Sequence, residues 1–426
     1  MNRNVVYSMG LRIAGIMVSL LLVPLTLGYL NKYEYGIWIT LNSILTWINY
    51  FDIGLGNGLR YKLGEALANK DFKMGKIYVS TTFFLLTVIV SILFIAILVA
   101  NCFMDWNAIL NTKEPITNLN EIVNVVLLCV CSTFVMRTVA VIYISHQKTW
   151  ISSLLTFLGS FLSLLWIVYL RWATEPSLFN VALAFSSSPI IVYILAYPVT
   201  FYAKYKEIRP SVKQIRLSHA KNLGSLGVQF FILQLACLLI FTTSNVIISN
   251  LFSPEEVTPY SILNKYFNVV AVAYMIIINP LWAAITDAYA KKEYGWIKHN
   301  INKMVRLWAI CPIVILLMVL ISPLVFKVWV GEEVLIPYSL SLSIAVYNIV
   351  LLWTNTFSVY CNGVGHLKTA LWAMCSAAVL FVPTCLLMTR LVGVNGVAYS
   401  MALVLMIPAV AMYLNYKKDI EGSHES

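Results

Sequence analysis

The chain has 426 residues, of which 60% are hydrophobic and only 11% charged, and its mean hydropathy is +0.82. A water-soluble chain carries about 25% charged residues, so this composition excludes an ordinary cytosolic or secreted globular protein and leaves a polytopic membrane protein. Long unbroken apolar runs argue against a transmembrane barrel, whose strands alternate in polarity, and the net charge of +11 is first a matter of orientation in the membrane.

About 20 apolar residues cross a hydrocarbon core roughly 30 Å thick. Apolar runs between charge and turn clusters predict twelve spans. In the first half these are Met9 to Leu30, Gly36 to Gly58, Ile77 to Ala100, Ile122 to Ile144, Ile151 to Leu170 and Phe179 to Tyr202. In the second half they are Leu223 to Ser249, Pro259 to Ile285, Leu307 to Phe326, Ser339 to Cys361, Ala370 to Thr389 and Val397 to Tyr416. An even number puts both termini on one side. Taking that side as the cytoplasm places 21 of the 29 Lys and Arg there, five in the opposite loops and three within spans. This asymmetry sets the orientation, so the net charge is mainly a topology signal and no nucleic-acid partner is expected. The first span carries Arg12 and is followed by no small-residue cleavage site, so it reads as a retained helix and not a signal peptide. The longest outer loop, about Asn101 to Glu121, is too short for an attached soluble domain.

An internal repeat organises the chain. Glu65-Ala66-Leu67-Ala68-Asn69-Lys70-Asp71-Phe72 matches Asp287-Ala288-Tyr289-Ala290-Lys291-Lys292-Glu293-Tyr294 at an offset of 222, and His146-Gln147-Lys148-Thr149 matches His366-Leu367-Lys368-Thr369 at 220. Lys-rich loops can resemble one another by chance, but both pairs lie at equivalent places six spans apart, which favours duplication. The fold class is therefore an all-α membrane protein of 12 transmembrane helices in two six-helix halves, residues 1–210 and 211–426. Six is even, so the halves share an orientation and relate by an axis along the membrane normal, an arrangement that usually leaves a cavity between them.

Four ionisable residues fall within spans: Arg12, Asp52, Arg137 and Lys265. Each would cost about 2.5–3.5 kcal/mol at the centre of a lipid-facing helix, so each should face protein, water or an interface. Asp52 and Arg137 both lie about 10 Å from the inner edge, Arg12 about 5 Å from it, and Lys265 about 9 Å from the outer edge. Arg12 and Lys265 have stems long enough to snorkel. Asp52 does not, and its first candidate partner is Arg137, its second Arg12. The cations left over form a candidate cationic, water-filled cavity for an anionic headgroup. The run Thr242-Thr243-Ser244-Asn245 offers oxygens for Na⁺, or interhelical hydrogen bonds. Prolines at 24, 189, 198, 280, 312, 323, 383 and 408 fall within spans, where each removes a backbone hydrogen bond and can kink its helix. Trp and Tyr near span ends, such as Tyr29, Trp38, Tyr169, Trp172 and Trp329, read as an interfacial belt.

Other chemistries lack their residues. All five His lie in inner loops or the tail, leaving none at membrane depth for a metal or haem. The eight Cys contain no C-x-x-C and read as small buried apolar groups. Gly54, Gly56 and Gly58 form no nucleotide fingerprint, and there is no Walker A sequence. No cofactor is expected. Neither paired carboxylates nor a Ser/His/Asp arrangement is visible, which argues against an enzyme, and energy must come from an ion gradient or the substrate's own.

Phe51-Asp52-Ile53-Gly54-Leu55-Gly56-Asn57-Gly58-Leu59-Arg60, followed by Lys62 and Glu65-Ala66-Leu67-Ala68, resembles the second-span signature of bacterial oligosaccharide flippases, the O-antigen and capsule repeat-unit exporters of the multidrug/oligosaccharidyl-lipid/polysaccharide exporter superfamily. Tyr260, Lys265-Tyr266-Phe267, Pro280-Leu281-Trp282 and Asp287 to Glu293 resemble its eighth span. The resemblance implies alternating access through a V-shaped cavity and transfer of an undecaprenyl-diphosphate-linked oligosaccharide from the inner to the outer leaflet of the bacterial inner membrane. It further implies basic cavity residues on the first and eighth spans, matched here by Arg12 and Lys265. Asn245 stands where some relatives carry an acid, which bears on H⁺ or Na⁺ coupling. Membrane lipid and a polysaccharide polymerase complex are the other implied partners. The competing readings are a cation-coupled multidrug antiporter of the same superfamily, which would favour buried carboxylates, and a membrane polymerase or glycosyltransferase, which would need a larger outer catalytic loop.

Overall fold

The computed structural model describes residues 3–50, 55–113, 115–116, 118–219, 227–331 and 334–422, and no β-strand occurs among them. Eleven helices among the described residues are long and apolar enough to cross a membrane, so the chain is a multi-pass membrane protein. They correspond to eleven of the twelve predicted segments.

The second segment is divided. Helix α1 (Arg3–Leu27) is followed by α2 (Lys32–Leu45), which Asn31 caps by accepting the Glu34 N–H at 2.8 Å. Helix α2 then tightens into a 3₁₀ turn, Thr46–Tyr50, and the next described helix is α3, from Leu55. The Thr46 hydroxyl donates back to the carbonyls of Asn42 and Ser43 at 2.8 and 3.1 Å, the kind of local bond that competes with regular helix. Hydropathy counts apolar residues and is blind to such a break.

Helices α3 (Leu55–Ala68), α4 (Phe72–Asn101), α5 (Trp106–Leu110), α6 (Leu119–Met136), α7 (Thr138–Ser145), α8 (Thr149–Ala173) and α9 (Leu178–Pro198) complete the first unit. After Pro198 the coil widens into a π-helical stretch, Val199–Lys204, closed by the Tyr205 N–H donating to the Thr200 carbonyl at 2.8 Å. The remaining helices are α10 (Gly227–Phe241), α11 (Thr243–Leu251), α12 (Pro254–Ala290), α13 (Tyr294–Trp329), α14 (Tyr338–Val364), α15 (Leu367–Val392) and α16 (Asn395–Gly422). By packing, the units are Met1–Phe231 with Ser253–Glu255, and Ile232–Phe252 with Glu256–Ser426. Seven of the eight predicted in-span prolines lie inside helices that continue past them, and Pro198 ends α9 where the π-helical stretch begins.

Within the first unit, α8 packs on α1 and α9, and α6 on α9 and α4. Trp38, Leu41, Val123, Ile167 and Val181 are buried there, with the Trp38 ring 5.5 Å from that of Phe185. In the second unit α16 packs on α14 and α15. Trp353, Phe357, Tyr360, Tyr413 and Tyr416 form an aromatic row between α14 and α16. Asp419 accepts the Tyr360 hydroxyl at 2.7 Å and lies 3.3 Å from His366, which ties the end of α16 to the residue before α15. Exposed residues on α13, among them Ile310, Ile313, Leu317, Leu320 and Leu324, recur every three or four positions and form a lipid-facing stripe.

The backbone records the repeat more sharply than the side chains do. Lys70 and Lys292 are both left-handed, with φ of 56° and 60°. In each turn the next N–H reaches five residues back: Asp71 to Ala66 at 2.8 Å and Glu293 to Ala288 at 2.9 Å. The offset of 222 is thus structural as well as sequential. At the second match the structure differs from the sequence alignment. The left-handed residues are Gln147 and Gly365, and the five-back bonds run from Lys148 to Tyr143 and from His366 to Cys361, both 2.9 Å, an offset of 218. His146 and His366 are therefore not equivalent positions.

Candidate functional site

Helix α12 carries Ser261, Asn264, Lys265 and Asn268, spaced i, i+3, i+4 and i+7, so that four polar side chains share one face of a helix otherwise apolar enough to span a membrane. That face lines a cavity of about 270 Å³ in the second unit. Asn245 from α11, Tyr347 and Asn348 from α14 and Met401 from α16 complete its polar and soft walls, and Phe241 and Leu351 its apolar ones.

The walls are held by their own bonds. The Asn264 amide donates to the Tyr260 carbonyl at 3.0 Å and the Asn348 amide to the Ile344 carbonyl at 2.9 Å, which fixes each carboxamide against its helix. The hydroxyls of Tyr260 and Ser244 converge on the Met401 sulfur at 3.3 and 3.4 Å, locking α11, α12 and α16 together behind the cavity. Tyr260, Ser261, Tyr347 and Asn348 are buried, Lys265 is half-buried and Asn268 exposed. The described lining thus comprises one ammonium group, four carboxamides and several hydroxyls, with no carboxylate. Such a surface offers charge to a phosphate and both donors and acceptors to sugar hydroxyls.

The structure brings two of the residues singled out from sequence, Lys265 and Asn245, to this one cavity. Arg12 is exposed on α1 of the first unit. Arg137 is exposed at the interruption between α6 and α7, where its N–H donates to the Thr133 carbonyl at 2.8 Å. Asp52, and with it the expected pairing to Arg137, lies outside the described residues. In the Thr242–Asn245 run, Thr242 donates to the Leu238 carbonyl at 2.7 Å and Ser244 to that of Ile240 at 3.3 Å, the intrahelical use of such hydroxyls. No cluster of three or more His, Cys, Asp or Glu that could hold a metal occurs among the described residues. Sequence reasoning passed over Ser261, Asn264, Asn268 and Asn348. The first three were visible as a helical polar stripe around Lys265, whereas Asn348 is brought in by packing alone.

No protein-family model matches the chain. A Yersinia pseudotuberculosis protein named for O-antigen export is 20% identical over 379 residues, covering 85% of this chain and 83% of its own. A Salmonella typhimurium protein named for O-antigen transport is 22% identical over 374 residues, covering 84% and 82%. Among solved structures, an inward-facing multidrug resistance transporter of the MATE family, in the MOP superfamily, superposes with a TM-score of 0.78 at 13% identity, covering 100% of this chain and 96% of that one. An outward-facing form gives 0.70 at 14% identity, covering 100% and 97%. The two sequence relatives are named as transporters and not as enzymes.

Proposed function

From a chain that has the MATE transporter fold and is related in sequence to proteins named for O-antigen export, we propose a flippase for lipid-linked oligosaccharide. It moves an undecaprenyl-diphosphate-linked repeat unit from the inner to the outer leaflet of a bacterial inner membrane by alternating access. Both termini lie in the cytoplasm, as the loop charges favour. The observation that carries the reading is the α12 cavity, whose described lining has one ammonium among carboxamides and hydroxyls on a helix long and apolar enough to span a membrane. A diphosphate bearing sugars cannot cross hydrocarbon unaided, because its charges and hydroxyls would lose water without replacement. Lys265 answers the diphosphate charge, and Asn245, Asn264, Asn268 and Asn348 substitute for water at the glycan. Arg12 and Arg137 serve as further cations within the first unit, and the polyprenyl chain stays in lipid.

The MATE fold also suits a cation-coupled multidrug antiporter, the second reading. Such a protein would be served by a carboxylate facing its substrate, and the described lining of this cavity has none. Coupling to H⁺ or Na⁺, with Asn245 in the position of interest, and association with a polysaccharide polymerase belong to the leading reading. The test is a deletion strain. Lipid-linked repeat units should accumulate on the cytoplasmic leaflet and surface polysaccharide should fall, both restored by the intact gene. Normal surface polysaccharide in a strain without a second flippase refutes the assignment.

A further inference from the structure

A second polar cavity lies wholly within the first unit, at the end of its last span. It measures about 290 Å³, roughly ten times the liquid volume of a water molecule. Lys204, Tyr205, Lys206 and His146 line it, with Glu207 as its one carboxylate. Two features show that it is built and not incidental. The π-helical stretch Val199–Lys204 delivers Lys204 and Tyr205 to it, and departures of this kind from α-helix are frequent at functional sites. Tyr205 stacks on the His146 ring at 4.0 Å, while the Lys148 ammonium sits 5.6 Å from the Tyr205 ring and the Lys204 ammonium 5.8 Å from that of Tyr143, so the aromatic walls and cations hold one another in place.

We propose that this cavity binds a phosphate group carried at the membrane surface. Lys204 ends the 27-residue span Leu178–Lys204, which puts the cavity at headgroup depth, where phosphates of lipids are concentrated. Two neighbouring ammonium groups, Lys204 and Lys206, match the several charged oxygens of a phosphate. The lining is net positive despite Glu207, and Lys148 adds to it across the Tyr205 ring. His146 lies in the same wall, its Nδ1 2.9 Å from the Ile142 carbonyl. An anion beside it favours the imidazolium, so binding takes up a proton at neutral to mildly acid pH, with Lys148, Lys204, Lys206 and Glu207 as the charged groups around it. The ligand is a phosphate on a lipid headgroup or free phosphate, and neither source requires the glycan reading of the α12 cavity.

The full chain, with its histidines isotopically labelled, is placed in nanodiscs of zwitterionic lipid and titrated with inorganic pyrophosphate. In a second arm phosphatidylglycerol is introduced into the nanodisc. A saturable upward shift of the His146 titration in either arm supports the site, with pyrophosphate indicating free phosphate and phosphatidylglycerol alone indicating a headgroup. The variant K204A/K206A should weaken the response at least tenfold, with elution and melting unchanged. Lys213→Ala, on the same linker outside the cavity, should leave it intact. No response in either arm, or a response that survives K204A/K206A or is equally lost in Lys213→Ala, overturns the proposal.

Discussion

Replacing Lys265 with Gln removes the cation of the α12 cavity while keeping a donor and most of the stem. The ammonium is half-buried and shares its cavity with Asn245, Asn264, Asn268 and Asn348, none of which carries charge. A charge-assisted hydrogen bond at such a site contributes about 1.5–3 kcal/mol, and every 1.4 kcal/mol is a factor of ten. Lys265→Gln should therefore lower transport about tenfold to a hundredfold, and Lys265→Arg should retain most of it. The assay is the appearance of lipid-linked repeat units in the outer leaflet of the inner membrane, measured on right-side-out vesicles by access of a non-permeant lectin. Expression and melting temperature serve as controls, because the substitution sits beside a cavity and opens no void. Transport within twofold of the parent by Lys265→Gln would refute the reasoning and turn Lys265 into an interfacial lysine.

Four further outcomes are expected. Asn264→Ala removes one carboxamide from the cavity wall and should cost about 0.5–1.5 kcal/mol of transition-state stabilisation, roughly a two- to tenfold loss in the same assay; no loss would mean that the glycan passes elsewhere. Gly396→Ala places a methyl 2.5 Å from the Thr389 nitrogen and collides with the Met388 carbonyl, both of them backbone. A loss of about 3 kcal/mol or more should appear as a markedly lower melting temperature in detergent. Lys70→Gly relieves a left-handed residue, at a cost in unfolded-chain entropy, and should stabilise by about 0.5–1 kcal/mol, seen as a raised denaturation midpoint. Burial lowers the His146 pKa from its ordinary value of about 6.5, and the Lys148 charge adds to this. The folded state then binds fewer protons than the unfolded one, so this stability is complete above about pH 6.5 and is lost as the pH falls below it. In His146→Gln the dependence should flatten, and an unchanged profile would remove His146 as its source.

The spans were legible because a lipid-facing helix must be apolar over its whole length, and the stripe on α13 shows that demand directly. The division of the second segment was hidden, because the tightening into a 3₁₀ turn at Thr46–Tyr50 leaves the hydropathy untouched. Lys265 was legible as a charge out of place. Asn264 and Asn268 were less so, since an uncharged amide in a span attracts no notice until its helical spacing is drawn, and Asn348 needed the packing of α14 on its neighbours. His146 and His366 misled for the opposite reason. They match as letters, yet one stacks on Tyr205 while the other pairs with Asp419, two residues out of register.

The left-handed corners at Lys70, Gln147, Lys292 and Gly365 bear on how the two halves came to differ. From Lys70 to Gln147 is 77 residues, and from Lys292 to Gly365 is 73. The chain between corners differs in length in the two halves while the corners share their shape, even where an unfavourable Lys occupies the left-handed position. The difference in length falls in the helices and links between the corners, and the corners themselves share one geometry. Insertions should accordingly be tolerated between these corners far more readily than at them, which makes the four turns the places to anchor any alignment of one half on the other.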